Sequence, residues 1–297
     1  MSAAVTIGNF DGVHRGHLAL VDRATAEAAR LGVPTVALTF DPHPAAVLRP
    51  DAVPPMLQSL ESRMATLRAH GCDRVEVLTF DAALAALTPQ AFVEELLVGR
   101  LGARSVVVGA NFRFGAGAAG DVEALRELGA ELGFAVEAVG LVDAGDGPVS
   151  SSALRALLAA GDLEAVTRGL GRPYVLDGEV VRGEGRGRTI GVPTANVAVD
   201  PARALPADGV YACRAVTSGE EWVPAVVNVG WRPTFDGTTR TVEAHLMVDD
   251  DPDLYGAHLE LTFIARVRGE ERFDGPEALV ARIAEDVVVA RRLLGLA

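Results

Sequence analysis

At 297 residues the chain is long enough for two domains of roughly 100–200 residues each. Its 49% hydrophobic and 23% charged residues are globular averages, which excludes disordered and fibrous classes. Against 27 basic side chains stand 40 acidic ones, a net charge of −13 that repels nucleic acid and anionic membranes, so neither is expected as a partner. Every one of the basic residues is arginine. A lysine-dependent P-loop is therefore excluded, and any phosphate clamp must use Arg, His or backbone N–H.

Cys72 and Cys213 lie far apart, which rules out a disulfide framework or a cysteine-rich metal site. No apolar run approaches the roughly 20 residues of a membrane span. The opening MSAAVTIGNFDG has neither the basic start nor the apolar stretch of a signal peptide, so a cytoplasmic location is expected.

Along the first 140 residues, strands are expected at Ala4–Ile7, Thr35–Phe40, Val75–Leu78, Ser105–Val108 and Ala135–Val139. Helices are expected at Gly16–Leu31, Ser59–His70, Pro89–Leu101 and Asp121–Gly133, with Ser59 and Thr88 as N-caps and Pro89 at the first helical position. Runs such as Val106-Val107-Val108 are apolar without alternation, as in strands buried on both faces. Alternating β and α of this kind makes a doubly wound parallel sheet, whose ligands sit at the carboxyl ends of its strands.

A helical stretch follows from Ser150 to Leu170, and then the pattern changes. Short β-rich segments at Val175–Arg182, Gly209–Thr217, Trp222–Val229, Thr241–Val248 and Leu259–Val267 are separated by Gly and Pro turns. A single helix closes the chain at Pro276–Leu294, with Leu279, Ile283, Val287, Ala290 and Leu294 on one stripe. This predicts a small antiparallel barrel closed by a terminal helix, with domains at 1–170 and 171–297.

Two motifs carry the chemistry. Directly after the first strand comes Gly8-Asn-Phe-Asp-Gly-Val-His14-Arg-Gly-His17. A Gly-rich turn opening a helix presents backbone N–H groups to an anion, and histidines at i and i+3 share the face of the entry turn. In the second half, Gly178 opens GEVVRGEGRGRTIGVPTANV, where Arg186 and Arg188 among glycines make a cationic loop suited to phosphates. Thr194 and Asn196 follow, two residues apart and so on one face of an extended chain, both with the oxygen donors that Mg²⁺ accepts.

GNFDGVHRGH resembles the signature of the nucleotidyltransferases that release pyrophosphate. Together with Thr39-Phe40-Asp41-Pro42-His43-Pro44, Gly109-Ala-Asn111-Phe-Arg-Phe114-Gly115 and Val149-Ser150-Ser151-Ser152-Ala-Leu-Arg155, it is similar to the prokaryotic bifunctional riboflavin kinase/FAD synthetase family. The flavokinase signature is resembled by the GRG loop with Pro193-Thr-Ala-Asn196, by Asp208-Gly-Val-Tyr-Ala, by Asn228-Val-Gly and by Thr241-Val-Glu243-Ala-His.

The resemblance implies a Rossmann-like FMN adenylyltransferase domain followed by a riboflavin kinase barrel, with riboflavin, FMN, FAD and ATP as substrates or products and Mg²⁺ as cofactor. In the first domain it implies ATP and phosphate contacts from Gly8, Phe10, Asp11, Gly16, His43, Ser150, Ser151 and Ser152. His14 and His17 would act on the triphosphate and Arg155 on the leaving pyrophosphate, while Asn111, Phe112, Phe114 and Gly115 would meet the flavin. In the second it implies Gly183, Gly185, Arg186 and Gly187 over the ATP phosphates, Thr194 and Asn196 on Mg²⁺, and Asn228 and Arg240 at the flavin. Glu243 would be the base for the ribityl 5′-hydroxyl. Three rivals make different demands. A first domain reduced to a scaffold needs none of His14, His17, Asn111 or Arg155; a flavin carrier needs no base at position 243; an adenylyltransferase for another phosphate ester needs no kinase half. The oligomeric state is left open.

Overall fold

The computed structural model describes residues 2–145, 147–183, 187, 191–217, 221–234, 237–248 and 253–296. They form two compact units, Met1–Ser151 and Ser152–Ala297.

The first unit holds five parallel strands, β1 (Ala3–Ile7), β2 (Thr35–Asp41), β3 (Arg74–Thr79), β4 (Ala103–Gly109) and β5 (Ala135–Val139), in the order β3-β2-β1-β4-β5. β1 is central and pairs with both β2 and β4, so the crossover direction reverses beside it. Its burial pattern has no exposed position, which requires cover on both faces. On one side α1 (Arg15–Leu31) and the helix Leu60–Ala69 contribute Leu20, Val21, Ala24 and Leu67 against Ala37 and Val107. On the other, Phe92, Val93, Leu97 and Leu125 pack on Val5, Ile7, Leu38, Val106 and Val108. Each such side chain contributes about 1.5–3 kcal/mol by leaving water.

Ser59 caps its helix by accepting from the Ser62 N–H at 3.2 Å, and Thr88 caps the next by accepting from Ala91 N–H at 3.1 Å ahead of Pro89. That helix widens over Phe92–Arg100 into i→i+5 bonding, as in Leu101 N–H to Leu96 C=O at 3.0 Å.

The remaining helices of the first unit, α2–α6, are Pro44–Leu48, Leu60–Ala69, Ala82–Ala85, Pro89–Ala91 and Val122–Leu132; ahead of the second unit's closed antiparallel barrel come α7 (Ser151–Ala160) and α8 (Leu163–Leu170). Its strands are β6 (Tyr174–Val181), β7 (Ala195–Ala198), β8 (Gly209–Thr217), β9 (Val223–Thr234), β10 (Gly237–Leu246) and β11 (His258–Arg268), in the cyclic order β10-β7-β6-β11-β8-β9. Period-two burial along β11 sends Leu259, Leu261 and Phe263 inward, where Phe263 meets Tyr174 and Tyr211. Both buried phenols donate to backbone, Tyr174 to Ala204 and Tyr211 to Ala207 at 2.5 Å each. The last helix, α9 (Pro276–Leu293), lies on the outer face, Ala290 and Leu294 against Val210, Ala212 and Val226. A bidentate pair from Arg268 to the buried Asp286, at 2.8 and 3.0 Å, fastens it to β11.

Candidate functional sites

The turn after β1 stands at the carboxyl edge where the strand order reverses, the place where open α/β sheets bind ligands. Its backbone is unusual, since Phe10, Gly12 and Val13 all have positive φ (49°, 82° and 37°) and two of the three are not glycine. Such residues persist only where the surroundings over-determine them. Here the Asn9 carbonyl accepts from Thr39 Oγ1 at 3.1 Å and from Arg63 Nη1 at 2.7 Å. The Asp11 carboxylate accepts from the N–H groups of Leu57 and Gln58 at 2.9 and 3.2 Å, and Ser151 Oγ donates to the Asp11 carbonyl at 2.8 Å.

The histidines form one packed object. His14 caps α1, its Nδ1 accepting from the His17 N–H at 3.3 Å, which leaves the neutral ring's proton on Nε2. The two rings stack at 3.6 Å and 17°, and Phe10 meets His17 edge-on at 5.2 Å. Gly8 and Gly16 make room for this: a Cβ at Gly8 would sit 3.3 Å from the Phe10 ring, and one at Gly16 only 3.0 Å from His14 Cε1. At the end of β2, His43 caps α2 by accepting from Ala45 N–H at 3.1 Å and lies 3.4 Å from the Asn9 carboxamide.

The loop after β4 places Asn111 exposed at the same edge, its carboxamide over Gly109. Phe112 stacks on Phe114 at 5.6 Å and 13°. Gly115 has φ 72° and lies tight on Pro89, where a Cβ would come within 2.7 Å of the ring nitrogen.

Two of the residues expected at the ligands are engaged within the unit. The Asp11 side chain is 1% exposed and its acceptor oxygen is engaged by two amides, so it braces the turn; a buried carboxylate would in any case repel phosphate. Phe114 is buried in the core against Phe92, and its backbone is bridged to Gly120, so it supports Phe112 from beneath. Ser150 is exposed, whereas the Ser151 hydroxyl is engaged by Asp11. Ser152 and Arg155 occupy the opening turns of α7, Arg155 on the same helix face as Ser151 four residues earlier.

The barrel carries a second constellation on its outer face. Asn196 of β7 is directly opposite Glu243 of β10, and Glu243 is directly opposite Asn228 of β9. Cross-strand partners point to the same side, so a half-buried carboxylate stands between two carboxamides. Thr194 immediately precedes β7, and the carbonyl of Pro193 is held 2.8 Å from His245 Nδ1. Gly183 lies against the Asn196 carboxamide, where any Cβ would collide with it, and a Cβ at Gly187 would stand 3.1 Å from Thr194 Oγ1. Gly230, two residues beyond Asn228 on the same face, is covered by the Glu270 carboxylate. Gly185 and Arg186 lie outside the described residues.

Arg240, expected at the flavin, is held by the loop before β8. Its Nη2 donates to Asp208 Oδ1 at 2.5 Å and to the Pro206 carbonyl at 2.6 Å, and its guanidinium lies 5.9 Å from the Trp231 ring, so it locks the loop before β8 to β10. Sequence reasoning did not single out Thr39, Arg63 or Glu270 as site residues. Arg63 reads as a solvated helix charge, and only the tertiary structure places it under the turn.

A phosphate-receptive turn at the switch point of a parallel sheet, joined in one chain to a closed barrel that presents a carboxylate between two carboxamides, defines a class of two-unit enzymes that handle nucleotide phosphates. Residues 1–153 match the FAD synthetase family and residues 170–294 the riboflavin kinase family. The bifunctional riboflavin kinase/FMN adenylyltransferase of Escherichia coli K12 is 40% identical over 98% of this chain and 93% of its own length. That of Pseudomonas fluorescens is 40% identical over 97% and 92%, and that of Bacillus subtilis 32% identical over 96% and 90%. The chain belongs to the bifunctional riboflavin kinase/FMN adenylyltransferase family. A solved structure described as a macrolide-efflux protein from Streptococcus pneumoniae shares the fold with a TM-score of 0.88, at 30% identity over 98% of this chain and 94% of that one. Among the described residues here, no helix is long and apolar enough to cross a membrane.

Proposed function

We propose that the chain carries out both reactions of its family in series. The barrel unit transfers the γ-phosphoryl group of ATP to the ribityl 5′-hydroxyl of riboflavin, giving FMN and ADP. The parallel-sheet unit then transfers the adenylyl group of a second ATP to the FMN phosphate, giving FAD and pyrophosphate. Domain bounds of 1–170 and 171–297 and a cytoplasmic setting go with this reading.

The observation that carries the kinase half is the row Asn196–Glu243–Asn228. Glu243 accepts the proton of the attacking hydroxyl, and Asn228 beside it orients the flavin substrate. The residues fit Mg²⁺: a hydroxyl and a carboxamide offer hard oxygens, and the backbone of Gly183 and Gly187 packs closely against them. Among the described residues no three His, Cys, Asp or Glu side chains converge, which suits an ion held by one or two protein donors and by the ATP phosphates. Thr194 and Asn196 would hold it, and its charge would offset the negative charge of the phosphates during transfer. Gly183 and Gly187 let the backbone approach those phosphates closely.

In the adenylyl-transferring unit, in-line attack on the α-phosphorus asks mainly for positioning and charge stabilisation. The stacked pair His14 and His17 meets the triphosphate, Gly8 and Gly16 keep the rings in place, and His43 stands at the neighbouring strand end. Arg155, with Ser150 and Ser152, takes the pyrophosphate, while Asn111 and Phe112, with Gly115 shaping their loop, receive the flavin.

A time course of the purified protein with riboflavin, ATP and Mg²⁺, resolved by chromatography, tests the reading. FMN that rises and then gives way to FAD is the expected result. FMN that accumulates without FAD would refute the adenylylation half, and bound but unconverted riboflavin would refute the kinase half, with FMN supplied to the same sample then deciding the other.

A further inference from the structure

We infer that Arg63, with Thr39, is a positioning residue for ATP in the adenylylation site, holding the Asn9–Phe10 peptide so that its N–H faces the nucleotide phosphates. This rests on the adenylylation reading above. The Arg63 side chain sits on the helix Leu60–Ala69, is 2% exposed, and reaches under the turn. Nη1 donates to the Asn9 carbonyl at 2.7 Å and Nη2 to the Phe40 carbonyl at 3.2 Å, so one guanidinium ties the turn to the end of β2. From β2 itself, the buried Thr39 hydroxyl donates to the same Asn9 oxygen at 3.1 Å.

Two donors converging on one carbonyl settle the orientation of its peptide plane. In a trans peptide the C=O of Asn9 and the N–H of Phe10 point opposite ways. Drawing the carbonyl toward Arg63 and Thr39 turns the Phe10 N–H away from them. Without those donors an inward carbonyl would be buried and unsatisfied, and the plane would have reason to flip. The adjoining positive φ values at Phe10, Gly12 and Val13 are conformations that need such outside support.

The Arg63 guanidinium is held deep in the unit. A guanidinium has five donors, and the Nε–H of Arg63 is buried with no hydrogen-bond partner among the described residues. Asp11 and Asp41 are its nearest charge-compensating groups, neither within ion-pair distance among the described residues, and burial holds the group below the usual arginine range.

The test uses the full chain and measures both half-reactions on each sample, so that riboflavin kinase activity reports intactness of the barrel unit. Arg63→Met is expected to raise KM for ATP in FMN adenylylation at least tenfold, with KM for FMN within twofold and kinase activity unchanged. Arg63→Lys, which keeps the charge but loses the fork, should recover part of that loss. Thr39→Val removes one donor from the same carbonyl and should raise KM for ATP two- to fivefold, deciding the matter if Arg63→Met does not fold. A residue that merely stabilises the unit would lower the active fraction, and hence the apparent kcat, leaving KM for ATP unmoved; that result in Thr39→Val and either Arg63 variant would overturn the inference. A wild-type protein that makes no FAD would instead refute the adenylylation reading on which it rests.

Discussion

Replacing Gly16 by alanine separates stability from chemistry in the adenylyl-transferring unit. Gly16 lies in the first turn of α1 and its φ is not positive, so alanine meets no backbone strain there. Helix propensity alone would favour the change by up to about 1 kcal/mol. Against this, the new Cβ would stand 3.0 Å from His14 Cε1 and 3.1 Å from Nδ1, where ordinary contact begins at 3.4 Å. The ring must therefore move by a few tenths of an ångström. It cannot do so without disturbing its stack on His17 at 3.6 Å and the cap bond to the His17 N–H at 3.3 Å. Losing a cap costs about 1 kcal/mol, so the melting temperature should hardly change. Turnover should not be spared: a misplacement of about 1 Å can cost 100-fold, and a shift near half of that corresponds to about tenfold, or roughly 1.4 kcal/mol. Parallel assays on one preparation, FMN to FAD and riboflavin to FMN, should show the first reduced about tenfold and the second unchanged. FAD synthesis within twofold of wild type in a folded Gly16→Ala protein would refute the claim that the ring pair is held for catalysis.

Glu243→Ala should abolish FMN formation while FAD formation from supplied FMN stays near wild type, and His14→Ala with His17→Ala should do the reverse; either variant losing both activities while folded would contradict the two-site assignment. Arg268→Ala removes the bidentate partner of the buried Asp286 carboxylate, leaving only Arg282 at 3.8 Å, and should destabilise the barrel unit by about 3 kcal/mol, whereas replacing both partners by Met and Leu should be nearly neutral in calorimetry. Burial, with Asp73 adding to it, pushes the Cys72 thiol from near 9 up to about 11. The folded state thus favours the protonated thiol, a contribution fully present below pH 9 and lost as pH rises toward 11. Denaturant titrations should show the stability of wild type relative to Cys72→Ala falling by about 2 kcal/mol across that window, and a constant difference would count against the shift.

Much of the architecture was legible because its signals are local. The strands of the sheet are apolar runs bounded by Gly, Pro and Asp, and they fall within two residues of expectation at every end. The Ser59 and Thr88 caps follow from hydroxyls placed before helix formers. Less legible was the helical stretch from Ser150, which is two helices broken at Gly161, whose φ is 80°. The sixth barrel strand, β7, has the sequence Ala-Asn-Val-Ala, with low β propensity, and reads as part of a motif loop. Its pairing comes from partners 17 and 45 residues away, as in Val197 with Val180 and Val242. The same holds for the sites. Residue types and spacing reveal Thr194, Asn196 and Glu243, but not that Asn196, Glu243 and Asn228 stand in one row. Nor do they show that Asp11 and Ser151 brace the turn, that Phe114 belongs to the core, or that Arg63 is buried, because each depends on tertiary neighbours.

β7 closes the barrel with three register pairs to β6 and three to β10, and it is also the piece of chain that carries Asn196, with Thr194 just before it. Zipping up the barrel and assembling the phosphate-facing oxygens are therefore one event. A nucleotide bound across Thr194, Asn196 and the facing carboxylate acts as a stitch over the shortest hem in the fold, so it should slow amide hydrogen exchange at Val197 and Val242 more than at Leu261 or Phe263, deep in the longer strand.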